Sequence, residues 1–254
     1  MHIHWKQTPA DSFVFLGINA DHPHAQAVLQ ASYAQYMLLR AGDTLSGAFG
    51  DLQLVSSVRL PGPALLSPVW TGRWHGGPPP PGMYPCERSH QGLSLAWITL
   101  SDKGARGERI DASGPAIRDT LAESLSLCLA TGVIIPDEPD LLQATLVDFC
   151  LHQRFDLVCT TGGTGVGPRD ITPEVTQTVL DKRLPGFERV MTATSLAKTP
   201  HGMISRAVAG VLGTSLVINL PGSPKAVREN LHALVPAIQH TVDKLQGDTR
   251  DCGQ

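Results

Sequence analysis

Four short runs in the latter part of the chain, SLAWITL at 94–100, TGVIIP at 131–136, FDLVCTT at 155–161 and SLVINLP at 215–221, are continuously apolar rather than alternating. A strand with one face in water alternates apolar and polar residues, so continuous runs belong to strands covered on both faces. Helical spacing fills the intervals. Ile117, Leu121, Leu125 and Cys128 form one stripe; Leu142, Leu146 and Phe149 form a second; Val227, Leu231, Leu234, Ile238, Val242 and Leu245 form the longest, each at the three- and four-residue steps of an amphipathic helix. Strand alternating with helix predicts an α/β fold, a mostly parallel sheet with helices on both faces joined by right-handed crossovers. Pro236 is predicted to kink or divide the last helix.

At 254 residues the chain can hold a second, smaller domain. The stretch WHGGPPPPGMYP, from Trp74 to Pro85, marks a boundary, because consecutive prolines favour a stiff extended conformation that joins neither a helix nor a central strand. Residues 1–85 therefore read as a small β-containing domain ending in a Pro-rich linker, and residues 86–254 as the α/β domain. In the first, FVFLGI and GDLQLVSSVRL have strand composition, broken by turns at Gly42-Asp43 and Gly50-Asp51, while Ala25 to Leu39 reads as helical. His2 with His4, and His22 with His24, would each share a strand face. No Cys or carboxylate completes a ligand set around them, so they read as surface residues.

Charge and cysteine usage exclude several function classes. Twenty Lys and Arg against twenty-three Asp and Glu leave a net charge of -3, which gives no long-range attraction to nucleic acid or an anionic membrane. No apolar run reaches membrane-spanning length, and MHIHWKQ lacks the layout of a secretion signal, so a cytoplasmic protein is expected. Cys86, Cys128, Cys150, Cys159 and Cys252 are scattered with no CxxC spacing and read as reduced thiols filling the core.

In open parallel sheets ligands gather beyond the carboxyl ends of the strands, where helices begin. Three loops have that position. SDKGARGERIDASGPAIRDTL follows the first run, with Ser113 or Gly114 expected to cap a helix that Pro115 starts. TGGTGVGPRDITPEVT follows the third, with Thr172 capping and Pro173 and Glu174 opening the helix. NLPGSPKAVREN follows the fourth, with Ser223 capping ahead of Pro224. Glycines and free amides at such ends suit phosphate or another oxyanion. The glycine loop is neither a Walker loop, since Val166-Gly167-Pro168 follows Gly165, nor a dinucleotide fingerprint, since Pro168 stands where a glycine is required. Acids complete the pattern. Asp137, Glu138 and Asp140 follow the second run and Asp170 follows the glycine loop; Asp137 and Asp170 could converge on one crevice, where a cation would relieve their repulsion and Mg²⁺ is the natural guest beside phosphates. Glu138 and Asp140 are assigned to the start of the following helix.

ITLSDKGARGERIDASGPAI, IPDE, TTGGTGVGPRDITPE, SRAVAG and NLPGSPKAVRENL occur in the order and spacing of the MoaB/Mog family of molybdenum-cofactor biosynthesis proteins, related to the N-terminal domain of gephyrin. The resemblance covers about residues 92–247. Residues 1–85 lie outside it, and their Gly-Asp punctuation weakly resembles the β-rich MOSC domains. The family resemblance implies a molybdopterin adenylyltransferase, with molybdopterin and ATP as substrates and Asp137 and Asp170 as catalytic acids that also hold Mg²⁺. Substrate groups are expected on Ser101, Asp102, Ser113 and Gly114, on Thr161, Gly162, Gly163, Thr164 and Gly165, and on Pro221, Gly222, Ser223 and Lys225; which loop takes ATP and which the pterin stays open. Arg206 is open between a phosphate contact and a subunit ion pair. A homotrimer is implied, as is a partner such as a molybdate insertase. The alternative is a non-catalytic molybdopterin-binding or delivery protein. An insertase itself needs larger additional domains, and a CinA-type hydrolase usually has GGLGPTxDD in place of GGTGVGPRD.

Overall fold

The computed structural model describes residues 1–6, 13–18, 25–62, 65–76 and 79–249. Two compact units divide the chain, Met1–Gln91 and Gly92–Gln254.

The first unit contains β1 (His2–Trp5), β2 (Phe13–Ile18), β3 (Ala27–Gln30), α1 (Tyr33–Met37), β4 (Thr44–Gly47), β5 (Gly50–Gly62), β6 (Leu65–His75), β7 (Gly82–Pro85) and β8 (Glu87–Ser89). They form one sheet in the order β7-β1-β3-β2-β6-β5-β4-β8. The two apolar segments are strands, but the Ala25–Leu39 stretch is not one helix. It splits into β3 and the short α1, which Ser32 and Gln35 open with a reciprocal capping box. Beyond the prolines, β7 pairs with β1 and β8 with β4, so the division between the units falls at Gln91 rather than at the proline run. Trp5 packs against Trp74 and Phe49, with ring centroids 5.2 and 6.1 Å away. Asp43 is fully buried and satisfied by the Arg40 amide, the Arg88 guanidinium and His90 Nδ1. His2 and His4 are exposed at alternate positions of β1; His22, His24 and Cys252 lie outside the described residues.

The second unit begins with β9 (Leu93–Leu100), α2 (Asp102–Ala105), α3 (Ser113–Ala122), β10 (Leu127–Ile135) and α4 (Pro139–Val147), which runs into a π-helical turn at Asp148–His152. It continues through β11 (Leu157–Thr161), α5 (Thr172–Val179), β12 (Lys182–Arg183), α6 (Pro185–Leu196), a 3₁₀ turn at Pro200–Ile204, β13 (Ala209–Leu212), β14 (Ser215–Leu220) and α7 (Pro224–Leu245). The sheet order is β10-β9-β11-β14-β13-β12. The first four strands are parallel and the last two antiparallel. The mostly parallel α/β sheet is therefore present, with an antiparallel flank formed by the β13–β14 hairpin, whose turn Gly213 opens at φ 60°.

Leu95, Ile117, Leu121, Leu157, Leu216, Ile218, Leu231, Leu234 and Ile238 belong to the core of this unit. Each buried aliphatic side chain contributes roughly 1.5–3 kcal/mol, so several along one face together outweigh the roughly 3 kcal/mol that a proline costs in a helix interior. That explains why α7 survives Pro236 as one helix, with Val227, Leu231, Leu234, Ile238 and Val242 buried along its inner face. Two sequence expectations change. α3 ends at Ala122, so Cys128 lies on β10 rather than on a helix. β10 is also an edge strand whose Val133 and Ile134 are more than a third exposed, so its apolar run is not covered on both faces. Burial raises the Cys150 thiol pKa to about 12 and pushes Cys159 further up, which leaves both inert as core thiols.

Candidate functional site

The ends of β9, β10 and β11 are cross-linked by acids. Asp102 donates its backbone N–H to Asp137 Oδ2 at 3.2 Å, and Asp137 returns its own N–H to Asp102 Oδ1 at 3.1 Å. Arg169, from the glycine loop, donates to both Asp102 oxygens and to Glu138 Oε1 at 2.8 to 3.1 Å. Glu138 occupies the N-cap position of α4 without a side-chain cap bond, so its carboxylate serves this pairing instead of the helix start to which it was assigned; Asp140 stays in the first turn. Asp170 accepts from the Gly167 amide at 2.7 Å.

These contacts set the electrostatics. The hydrogen bond from Arg169 holds Asp102 below the ordinary carboxylate range. Asp137 is raised, first by burial and then by the charges of Asp102 and Asp170, against the opposing pull of its backbone hydrogen bond and of Arg169. A Cβ on Gly165 would stand 2.8 Å from Asp170 Oδ2, which puts Asp170 against the glycine loop. A carboxyl group whose pKa is raised on folding costs stability when ionised; the cost is absent in acid and grows as pH rises through the folded pKa. Asp137→Asn should therefore raise the thermal midpoint of metal-free protein at about pH 8 and lose that gain near about pH 4. Its amide oxygen can still accept the Asp102 N–H. Thermal unfolding across pH checks this, and a midpoint lowered more at high pH than at low pH would contradict it.

The glycine turn follows directly. Gly162 and Gly163 sit at φ 98° and 62°, in the left-handed region that favours glycine. A Cβ on Gly162 would stand 2.6 Å from the Leu100 carbonyl oxygen, and one on Gly163 would stand 2.5 Å from Thr172 Oγ1 and 3.5 Å from Asp137 Oδ1. Thr172 does not cap α5. Its hydroxyl donates to the Gly162 carbonyl and its amide to the Gly163 carbonyl. Arg206 donates to the carbonyls of Thr164 through its amide and of Gly165 and Asp170 through its guanidinium, and pairs with Glu174. Within one chain it is a clamp on the loop, a role that neither expectation for it included. The Gly162 amide is taken by the Leu220 carbonyl, whereas those of Gly163 and Gly165 have no hydrogen-bond partner among the described residues. Thr164 is buried.

A cavity of about 160 Å³ adjoins this turn, lined in part by Ser101, Asp111, Ser113, Thr161, Gly162 and Gly222. Ser101 and Gly162 are one residue away from Asp102 and Gly163, so the cavity neighbours the acids. Most polar groups here already have partners. The Thr161 hydroxyl donates to the Pro221 carbonyl and the Ser113 hydroxyl to the Gly222 carbonyl. Asp111, not Ser113 or Gly114, caps α3; its Oδ1 accepts both of their amides and its Oδ2 accepts the Thr99 hydroxyl. Ser101 Oγ caps α2 through Gly104, and Ser223 caps α7 as expected. Gly114 is a packing glycine against Trp97. Lys225 does not line the cavity; it is 85% exposed and faces Glu229 at 4.0 Å.

Sequence reasoning missed Asp111, Arg169 and Asn219. The fully buried Asn219 donates to the Thr160 and Thr176 hydroxyls and accepts the Val208 amide. An Asp two residues ahead of the helix-opening SGP was a legible signal for the first; the partners of the other two lie too far along the chain to be read.

A parallel sheet with a glycine turn and acids at its carboxyl edge defines a ligand-binding α/β domain. A family model described as a probable molybdopterin binding domain matches residues 96–240. The molybdopterin adenylyltransferase of Helicobacter pylori (strain J99) is 44% identical over 159 residues, 62% of this chain and 90% of that protein. Gephyrin of Dictyostelium discoideum is 42% identical over 154 residues, 57% of this chain and 21% of gephyrin. The crystal structure of the molybdopterin biosynthesis enzyme MoaB from Thermus thermophilus superposes with a TM-score of 0.58 at 42% identity, covering 61% of this chain and 98% of that one. The chain belongs to this molybdopterin-binding family of molybdenum-cofactor biosynthesis proteins.

Proposed function

We propose that the protein is a molybdopterin adenylyltransferase that transfers AMP from ATP to the terminal phosphate of molybdopterin. A phosphate oxygen of the pterin attacks the α-phosphorus of ATP, the bond from that phosphorus to the bridging oxygen of the β-phosphate breaks, and pyrophosphate leaves. The observation that carries the reading is that Asp137 and Asp170, 33 residues apart in sequence, both stand against a glycine turn with two unpartnered amides: a Cβ on Gly163 would lie 3.5 Å from Asp137 Oδ1 and one on Gly165 2.8 Å from Asp170 Oδ2. A phosphate nucleophile is already anionic and needs no strong base; the chain's task is alignment and balance of charge.

Mg²⁺ fits the residues present. It is typically held by one or two carboxylates and completed by water and substrate phosphates. Asp137 and Asp170 supply such a pair; Asp137 is raised first by burial and then by the charges of Asp102 and Asp170, and a cation beside it would favour its ionised form. No cluster of three or more His, Cys, Asp or Glu side chains among the described residues offers an all-protein site. When bound, the ion would neutralise charge on the phosphates. The amides of Gly163 and Gly165 receive a phosphate oxygen. Arg169 keeps Asp102 and Glu138 engaged, which leaves Asp137 and Asp170 as the acids for the cation.

We assign the protein to the cytoplasm and to a homotrimer that hands its product to a molybdate insertase or another protein of the same pathway. Val190, Leu196, Met203 and Ile204, exposed on α6 and the following 3₁₀ turn, support self-association. No described helix is long and apolar enough to cross a membrane.

Purified protein incubated with molybdopterin, ATP and Mg²⁺ should yield adenylylated molybdopterin and pyrophosphate, read by chromatography. Tight pterin binding without product would replace this reading with that of a pterin-binding or delivery protein.

A further inference from the structure

The loop between α2 and α3 contributes Arg109 and Ile110 to the wall of the cavity. Arg109 is the single cation among the lining residues, and its side chain makes no hydrogen bond or ion pair with a described residue. The other arginines of these loops are committed: Arg106 to Glu108, Arg169 to Asp102 and Glu138, and Arg206 to the glycine turn. The helix starts beside the cavity are committed too. Ser113 and Gly114 amides are held by Asp111, and the Gly104 amide by Ser101. An anionic group entering from the Ser113 side would meet capped amides and the negative charge of Asp111. Among the lining side chains the Arg109 guanidinium alone carries a positive charge to receive it, and a guanidinium presents paired donors that match phosphate oxygens.

We propose that Arg109 binds a phosphate group of a substrate in this cavity and so sets substrate affinity. The identity of that phosphate rests on the adenylyltransferase reading: pterin phosphate and nucleotide phosphate offer Arg109 the same chemistry. Ile110, 91% exposed, stands at the mouth of the same cavity, where bound substrate would cover it.

Arg109→Ala and Arg109→Lys test the assignment. Because Arg109 is exposed and unpartnered, both variants should unfold at the wild-type temperature. Molybdopterin and magnesium-ATP are titrated separately, without turnover, at low and high salt. Arg109→Ala should weaken one ligand by about tenfold to a hundredfold, with less salt dependence than wild type and Arg109→Lys in between. In turnover the loss should fall on KM, with kcat nearly unchanged. A loss confined to ATP puts a nucleotide phosphate in the cavity; a loss confined to molybdopterin puts the pterin phosphate there. Unchanged affinity for both overturns the proposal. The adenylyltransferase reading fails separately, on absence of product from wild-type protein, since the titrations still report on Arg109. Wild-type protein that binds neither ligand overturns both.

Discussion

Asp170→Asn is expected to abolish adenylyl transfer, with a loss on the order of 10³-fold, while the protein unfolds at the wild-type temperature. The substitution changes charge and almost nothing else. Asp170 Oδ2 accepts the Gly167 amide at 2.7 Å, and the amide oxygen of Asn can accept the same bond, so the turn keeps its shape. What disappears is half of the negative pair that would hold a divalent ion against the substrate phosphates. Product formation under saturating ATP and Mg²⁺, with pterin affinity measured in parallel, separates a chemical defect from a binding one. Equal turnover by variant and parent would remove Asp170 from the site.

Gly132→Ala is expected to destabilise the second unit by about 1–3 kcal/mol. Gly132 pairs with Trp97 directly across β9 and β10. A Cβ there would fall 2.0 Å from Trp97 Cε2, inside the ring's own volume, while Gly114 meets the Nε1 edge of the same indole, 2.1 Å from where its Cβ would be. The indole therefore occupies space that two absent side chains leave open. It is enclosed by a neighbouring strand and a helix start, so it cannot swing aside without shifting one of them. Trp97→Leu in the same chain should restore part of the lost stability, because the two changes share one volume. Urea unfolding of the single and double variants checks this, and a Gly132→Ala protein as stable as wild type would contradict it.

Local signals in the sequence carried much of the second unit. Continuous apolar runs found β9, β10, β11 and β14, and the Ser-Pro pair located the start of α7, where Ser223 Oγ does accept the Ala226 amide. Short elements with little periodicity escaped. β12 is two residues long, β13 four, and α6 buries only Met191. Caps failed where the acceptor lay outside the helix: Asp111 outcompetes Ser113 because a carboxylate can take two amides at once. Pairings such as Arg169 with Asp102, 67 positions apart, depend on which strand ends become neighbours, and no periodicity reports that. Lys225 shows the converse error. A basic residue beside a glycine turn suggests an anion contact, yet its position in the first turn of α7 leaves it pointing along the helix toward Glu229.

Thr172 and Arg206 fasten the glycine turn from its carbonyl side, before any ligand arrives. The entropy of immobilising that stretch is thus lost during folding rather than at the encounter, and under the proposed function its backbone donors need no rearrangement to take a phosphate. Loosening either fastener would leave every donor in the sequence and still slow or weaken capture, because the loop would then have to find its shape anew with each visitor.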